Sequence, residues 1–477
     1  MARRSGRRRC PGRLRRNPCH PGRNAGGPVR GLGCPGSGGE GFEHPRVLTL
    51  LADSPLATAL YVAVRAGQSP GFAGALPPLL DWLPSTLSND VPGEGESAFC
   101  GAAAFASVLR IAATNAPHLA KEYRQRLDAA DARVDTIVQA RLKTARDRLQ
   151  TGTRPARAEF SLRQGLTGLG MCLLQRPDPG PQLRDLLDYL VELVSGFGGT
   201  GRPGWWVDDS PLPDLSDRQE WPHGHADLTL PDGSAGILAL LSLAWCDGVR
   251  VPGMDVAIKS LAEWYRRHLR TDERGDPWWP EVVTDPEPVT RPELHLREAS
   301  QLVPGWCGGL GIARSVQLAG IALGDRDLRD AAVAAARAAL LWEFPEFFRP
   351  GLCHGPQGAE FIALRMAADE SDDDACRLLG AAAAMRAITH DVKSLTVRGG
   401  LLDGSLGVLV SQASNEARTV LPPTDSAQWD CLLGITTIRA SSRAVPARPS
   451  PGKSPQDQRS RTSASARAAP SMQPSSP

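Results

Sequence analysis

Aromatic residues and long apolar runs are both scarce in this sequence, and each absence narrows its class. Only 5% of the 477 residues are aromatic, whereas Gly occurs 49 times and 41% of the chain is hydrophobic. Such a composition can fill a sizeable core and favours closely packed helices over an aromatic-rich sheet sandwich. No run of about 18 apolar residues occurs, so no transmembrane segment is expected.

Several familiar catalytic and structural patterns are missing as well. The chain carries no P-loop, no nucleophile-elbow serine and no H-E-x-x-H helix. Its Arg-rich N-terminus lacks the apolar segment that a secretory signal requires. The ten cysteines are unevenly spaced and do not suggest a disulfide framework. We therefore expect a protein of the reducing cytoplasm.

Charge divides the sequence into three regions. Residues 1–45 hold ten Arg against Glu40 and Glu43, and residues 436–477 hold seven basic residues against Asp457, so the net charge of +2 conceals an acidic middle. Both ends lack apolar periodicity, which is typical of disorder. The sequence thus predicts a folded domain over 46–435 between two disordered tails. For residues 1–45, a nucleic-acid-binding arm and a translated upstream region without function are the alternatives, although no nucleic-acid partner is expected.

Within the middle region a short motif of small residues recurs, and an apolar helix is predicted after each copy. The copies are Gly101-Ala-Ala-Ala104, Gly165-Leu-Thr-Gly168, Gly233-Ser-Ala-Gly236, Gly309-Leu-Gly311, Gly355-Pro-Gln-Gly358 and Gly404-Ser-Leu-Gly407. The segments that follow, such as Ile237–Ala244 and Ile312–Ala319, are apolar on most faces and are predicted to be buried. Thr58–Val64, after Ser54-Pro-Leu-Ala57, is interpreted as a seventh copy.

Amphipathic segments with charges at helical spacing separate these copies. They are Leu119–Leu149, Pro181–Ser195, Val256–Leu269, Asp325–Leu341 and Asp373–Ile388. Helices with one polar face suit an outer layer around buried ones. The alternation of the two kinds, at a period of roughly 45–75 residues, indicates a repeat architecture, and a closed ring needs no polar caps, unlike an open solenoid. We therefore predict an all-α fold, a double-layer α/α barrel whose function sits at the rim where the glycine turns gather.

Two cysteine motifs lie among these turns, Gly305-Trp-Cys-Gly308 and Leu352-Cys-His-Gly355. Two thiols and one imidazole suit zinc, and three protein ligands are typical of catalytic zinc, whose fourth position is left for water or substrate. Cys353 and His354 are adjacent and reach one metal only from a loop or a helix N-terminus, which Gly355 permits. Two unrelated buried cysteines are the alternative.

These residues resemble the lanthionine synthetase C-like family from about residue 51 to residue 435. The resemblance is carried by Leu166-Thr-Gly-Leu-Gly170, Gly204-Trp-Trp206, the Gly233 turn, Trp306-Cys307, Gly311-Ile-Ala-Arg314, Gln317–Asp325, Leu352-Cys-His-Gly355, Leu401-Leu-Asp-Gly404 and Trp429-Asp-Cys-Leu-Leu433. It implies an α/α toroid of seven inner and seven outer helices. It also implies that Cys307, Cys353 and His354 bind one Zn²⁺, in agreement with the ligand types.

The resemblance further implies a reaction. The family's lantibiotic cyclases add a Cys thiolate of a peptide across a dehydroalanine or dehydrobutyrine and so close a thioether ring. A free thiol, with a pKa near about 8.5, is mostly protonated at neutral pH, and coordination to a metal deprotonates it. Zinc therefore has a clear chemical purpose at such a site.

This chain departs from the cyclases at the positions that handle protons and charge. The cyclases carry a His in an Ala-His-Gly turn, which here reads Pro231-Asp-Gly233. Their Asp near the second turn aligns with Ser161, their Arg before the first cysteine with Val303, and their Tyr after that cysteine with Gly308. The first zinc motif has also lost one residue, because the usual Gly-x-x-Gly turn reads Gly309-Leu-Gly311. Cyclisation by the usual route is expected to be impaired, whereas zinc binding is kept.

Asp232 and His225 are the candidate catalytic residues. Asp232 occupies the position of the proton donor, but an ionised Asp is a poor donor near pH 7 unless burial raises its pKa. A cap for the helix after Gly233 is its alternative role. His225 is expected on a loop leading to the same rim, where a merely solvated histidine is the alternative.

Three functions are consistent with these residues. The first is a cytoplasmic, zinc-dependent cyclase that acts on a Cys-bearing precursor peptide, together with a dehydratase and an exporter, during lantibiotic maturation. The second is a zinc-binding scaffold that has lost catalysis and holds a peptide or a partner enzyme. The third is an enzyme that adds a small thiol such as glutathione to dehydrated proteins. The ligands fit all three, and the missing acid–base group favours the scaffold.

Overall fold

The computed structural model describes residues 55–82, 96–196, 202–208, 223–284, 305–341, 351–389, 400–420 and 429–438, most of them helical. The α-helices are α1 (Pro55–Ala66), α2 (Pro70–Trp82), α3 (Gly101–Asn115), α4 (Ala120–Thr151), α5 (Arg157–Phe160), α6 (Leu166–Leu174), α7 (Gly180–Ser195), α8 (Ser234–Cys246), α9 (Met254–His268), α10 (Gly309–Leu323), α11 (Arg326–Leu340), α12 (Pro356–Ala368), α13 (Asp372–Thr389) and α14 (Ser405–Val420). Residues 1–45 and 439–477, to which tails were assigned, and Val303 lie outside the described ranges.

Seven of these helices form a closed inner ring. α1, α3, α6, α8, α10, α12 and α14 each contact the next, and α14 contacts α1. They are the apolar helices of the repeat, and in α8 every residue from Ser234 to Ala244 is buried. Six outer helices (α2, α4, α7, α9, α11 and α13) each pack on the inner helix that precedes them. The fold is therefore an α/α toroid, as the sequence predicts.

Five of the outer helices lie where charge periodicity places them, with ends within two residues of the predicted ones. The reason is one-sided burial, as in α9, where Met254, Ile258, Leu261 and Tyr265 face the ring. Four short strands accompany the helices: β1 (His225–Asp227) pairs antiparallel with β4 (Val282–Thr284), and β2 (Arg270–Thr271) with β3 (Pro277–Trp278). No helix in the described ranges is long and apolar enough to cross a bilayer.

Glycine is required in the turns because the backbone of each turn packs closely against itself. A Cβ at the second glycine of a turn comes within 3.0 Å of a carbonyl oxygen earlier in the same turn. The pairs are Gly168 with Leu162, Gly236 with Leu230, Gly311 with Trp306, Gly358 with Leu352 and Gly407 with Leu401. The spacing is six residues in four turns and five in the turn before α10, so that turn lacks one residue.

The position of the missing residue corrects two expectations. Gly308, not Gly309, is the residue that caps α10, so the Gly-x-x-Gly turn is complete as Gly308–Gly311. The deletion therefore lies between Cys307 and Gly308, at the position that His354 fills in the turn before α12. Gly308 does not replace the cyclases' Tyr, because that position is absent altogether.

Residues 429–438, which we name the C-terminal plug, fill the middle of the ring. The plug begins with a 3₁₀ helix, Trp429–Leu433, and it bonds to residues of four inner helices. These are Met171 on α6, Arg314 on α10, Arg365 on α12 and Ser414 on α14. Thr436, Thr437 and Ile438, which the sequence assigned to the tail, are buried. The folded part therefore extends to residue 438 or beyond.

Candidate metal centre

The turns before the inner helices meet at one rim because they bond to one another through the backbone. Cys307 donates its N–H to the carbonyl oxygen of Cys353 over 3.1 Å, and Cys353 donates to that of Leu402 over 3.0 Å. Gly305 permits this approach, since a Cβ there would lie 2.5 Å from the Cys353 carbonyl oxygen. Cys307 and Cys353 hold the same register in neighbouring turns and so face each other.

The three predicted metal ligands come together at this rim. One ligand atom from each of Cys307, Cys353 and His354 lies within 4.8 Å of the other two. Cys353 is buried, while Cys307 and His354 are half-buried. In this structure the two sulfur atoms are joined as a disulfide, with Cα atoms 5.6 Å apart. Because zinc binds thiolates, metal binding requires the reduced pair.

The donor set fits zinc. Ligands at 2.0–2.3 Å in a tetrahedron lie about 3.5–3.8 Å from one another, a spacing that small side-chain rotations reach from the observed cluster. Two thiolates and one imidazole leave the fourth position for a substrate. Asp403, which holds on the next turn the register of His354, has its carboxylate 4.0 Å from His354 Nδ1. A carboxylate beside a metal-binding imidazole helps to orient the ring.

Asp232 has a different partner from the one expected. Arg163 donates from Nε and from a terminal nitrogen to the two oxygens of Asp232, over 3.0 and 2.7 Å. The residue that caps α8 is Gly233, and α8 has no side-chain cap, so the capping role is wrong. The guanidinium across the turn takes up the carboxylate instead. Both carboxylate oxygens of Asp232 are thus engaged in a bidentate, charge-assisted pair.

Arg163 is the residue that sequence reasoning missed at this rim. A signal was available, because Leu162-Arg-Gln-Gly165 has the register of Leu352-Cys-His-Gly355. Arg163 is therefore equivalent to Cys353, and Asp232 to His354. Ser161, aligned with the cyclases' Asp, is buried, and its hydroxyl accepts from the Gln164 N–H over 3.2 Å. It stabilises the turn that presents Arg163.

His225 lies on β1 rather than on a loop, and its side chain is buried. Burial, together with the charge of Arg157, lowers its pKa to about 3. The imidazole is therefore neutral at physiological pH. Its catalytic role stays a prediction, and its burial argues against proton exchange with solvent.

Two carboxyl groups behind the α8 turn have raised pKa values, and sequence reasoning missed both. Burial and then the charge of Asp232 raise the pKa of Asp227 to about 6. Burial and then the charge of Asp227 raise the pKa of Glu281 to about 8. The two lie close because the Leu228 N–H donates to the Glu281 carbonyl oxygen over 2.8 Å. These two carboxyl groups influence the α8 turn through their charge.

A toroid of this kind with Cys, Cys and His at its glycine-turn rim defines a known class. The sequence model described as lanthionine synthetase C-like protein matches residues 79–413, and the chain belongs to that family. Among solved structures, the chain is similar to nisin cyclase, with a TM-score of 0.67 and 18% identity over 82% of this chain and 93% of that one. This likeness shows the fold. No curated protein matches the sequence.

Proposed function

We propose that this protein is a zinc-dependent, lanthionine-forming peptide cyclase, which adds a Cys thiolate to dehydroalanine or dehydrobutyrine in a precursor peptide during lantibiotic maturation. The single observation that carries the proposal is the cluster of Cys307, Cys353 and His354 at the rim. Family membership adds support for cyclase-type chemistry. Cytoplasmic location and partnership with a dehydratase and an exporter belong to the same proposal.

In the reduced protein, Cys307, Cys353 and His354 would hold the metal through two thiolates and one imidazole. When bound, zinc supplies the positive charge that keeps a substrate thiol ionised near neutral pH. The thiolate sulfur bonds to the β-carbon of the dehydrated residue, and the electrons of the C=C bond move toward the carbonyl oxygen as an enolate. A proton then adds at the α-carbon and completes the thioether.

The chain's own residues are better suited to stabilise the enolate than to deliver the proton. The inner helices begin at this rim, and helix N-termini favour negative charge. Arg163 adds a fixed cation there, held in place by Asp232. Arg163 engages both carboxylate oxygens of Asp232, so in this proposal the α-carbon takes its proton from solvent. Substrate binding is then normal and ring closure slow, because general acid–base catalysis typically contributes about 10²- to 10⁴-fold.

A zinc-binding scaffold is the second candidate, and the Arg163–Asp232 pair is the observation that favours it. The pair occupies the two registers where neighbouring turns carry Cys and His, and its two members engage each other. Such a protein would hold a modified peptide or a partner enzyme without turnover. Addition of glutathione to dehydrated proteins is the third candidate, which the same metal cluster supports.

One experiment separates the three. Reduced protein with zinc is mixed with a dehydrated, Cys-bearing precursor peptide, and ring formation is followed by mass after thiol alkylation, with and without a chelator. A parallel reaction contains glutathione and a dehydrated peptide that lacks Cys. Slow, chelator-sensitive ring formation supports the cyclase, and peptide binding without rings supports the scaffold. A glutathione adduct in the absence of ring formation supports thiol addition.

A further inference from the structure

The residue before Cys307 is anchored by the far end of the chain. Trp306 is almost fully buried, and its indole Nε1 donates to the Leu433 carbonyl oxygen over 2.8 Å, across 127 residues of sequence. The Phe99 ring packs against it, with centroids 5.7 Å apart. The indole therefore has one hydrogen-bond partner and one aromatic neighbour, and both lie outside α10.

Leu433 is held in place through neighbouring residues of the plug, which also bond to helices other than α10. Asp430, three residues earlier, forms a buried ion pair with Arg365, and Trp429 donates to the Ser414 hydroxyl over 2.6 Å. The carbonyl that receives the Trp306 N–H is therefore positioned by α12 and α14 together with α10, whose Arg314 donates to the Ile435 carbonyl oxygen over 3.2 Å. The plug transmits that position to the turn before α10.

Cys307 depends on this anchor more than Cys353 depends on any single contact. The Cys307 turn lacks the residue that separates Cys353 from Gly355, so Cys307 directly precedes the capping Gly308. Its own N–H bonds to the carbonyl of Cys353, which is the other proposed ligand and so provides no independent reference. Trp306 is the neighbour that ties the Cys307 backbone to the rest of the ring.

We propose that Trp306 is a positioning residue for the metal centre and that, through its bond to Leu433, the C-terminal plug sets the affinity of the site for zinc. The inference rests on the metal site of the proposed function and not on cyclisation. Residues that support metal ligands typically change metal affinity by about 10- to 100-fold when they are replaced. A long-range bond of this kind makes the affinity of Cys307 depend on a residue near the end of the domain.

The test compares two buried indoles in the full-length, reduced, zinc-loaded protein. Trp306→Phe removes the N–H bond to Leu433. Trp279→Phe, the matched control, removes the 2.8 Å bond of another buried indole to the Tyr265 carbonyl oxygen on α9, a contact that involves neither the plug nor the cysteine turns. We measure the rate of zinc transfer to a chromogenic chelator and, separately, the thermal transition. Trp306→Phe should release zinc about tenfold faster and Trp279→Phe at nearly the native rate, although both transitions fall.

A second variant, Phe99→Leu, keeps the indole N–H but loosens the ring against which Trp306 packs. It should release zinc faster than the control, by less than Trp306→Phe, and it serves if the latter does not fold. Equal release from Trp306→Phe, Phe99→Leu and Trp279→Phe would overturn the inference while leaving the metal site intact. If the native protein binds no zinc, the metal centre fails and the positioning role with it.

Discussion

Two pairs of neighbouring turns in this toroid have the same backbone register but carry side chains of different chemistry. In the turns before α10 and α12, Cys307, Cys353 and His354 bring together two sulfur atoms and an imidazole that could hold a metal ion. In the turns before α6 and α8, the same registers carry Arg163 and Asp232, which form an ion pair. The glycine turns therefore fix where a side chain is presented, and residue identity alone decides what it does.

The comparison shows that the rim side chains can differ between turns while the fold is kept. Neither pair of turns needs its rim side chains for helix entry, because the close packing of the turn depends on Gly168, Gly236, Gly311 and Gly358. Rim residues are free to change so long as their charges stay compensated. The Arg163–Asp232 pair is such a compensated change.

The largest expected effect concerns the metal-binding turns. Cys307→Ala or Cys353→Ala should reduce bound zinc from about one per chain to almost none, because two remaining protein ligands hold the ion poorly. Metal content of purified, reduced protein is the measurement. Cys100→Ala, which changes a half-buried cysteine before α3 that is not part of the disulfide, is the control. Full zinc in both ligand variants would contradict the site.

The second prediction converts one pair of turns into the other kind. Arg163→Asp with Asp232→His places a carboxylate beside an imidazole across the same two turns, and ring closure should rise by about 10²-fold, at the low end for general acid–base catalysis. Asp232→His alone should gain less, because the guanidinium beside it disfavours the protonated imidazole. Rates of ring formation by mass check this, with Asp232→Ala as control. Rapid native cyclisation that either His variant abolishes would show Asp232 to be a working catalytic group.

A smaller effect concerns the buried acids behind the α8 turn. The folded-state pKa of Glu281, about 8, lies above the ordinary value, so the stability it contributes is present at low pH and is lost as pH rises toward 8. Glu281→Gln, which mimics the neutral acid, should match the native thermal transition near pH 4.5 and exceed it by about 2–4 °C at pH 8. The exposed Glu273→Gln is the control. A native curve parallel to that of Glu281→Gln would refute the raised pKa.

The smallest effect is expected outside both pairs of turns. Deletion of residues 1–45 and 439–477 should leave the thermal transition, the helical content and zinc binding nearly unchanged, since neither stretch has the apolar periodicity to join a core. Circular dichroism of the shortened chain measures this. The deletion stops at residue 439 because Thr436–Ile438 are buried. A large loss of helicity would place part of the core in the tails.

Periodicity and glycine spacing predicted most of the fold. Five amphipathic outer helices and the buried inner helices follow directly from side-chain pattern, which local sequence records. The meeting of Cys307 with Cys353 and His354 was also predictable, because equivalent turns gather at one rim. The plug was not, since residues 429–438 carry no periodic signal and are ordered only by distant partners such as Arg314 and Arg365.

The errors about Asp232 and His225 have one cause. Ion pairs and short strands join residues that are far apart in the sequence. Asp232 was interpreted as a helix cap because Asp favours that position locally, but Arg163, 69 residues away, takes its carboxylate. His225 was expected on a loop, yet its pairing with Thr284 places it in a strand. The sequence analysis placed the missing residue after Gly308, whereas the register of the other turns places it between Cys307 and Gly308.

Closure of the ring has a consequence for the order in which the chain matures. α14 packs on α1, so the ring can close only when both of these helices have been synthesised. Synthesis from the N-terminus delivers Cys307 and His354 long before Leu433, so a nascent chain displays its ligands while the bond from Trp306 still lacks its acceptor. Pairings this distant in sequence are slow to form. The bond that anchors Trp306 can therefore form only after Leu433 has been synthesised.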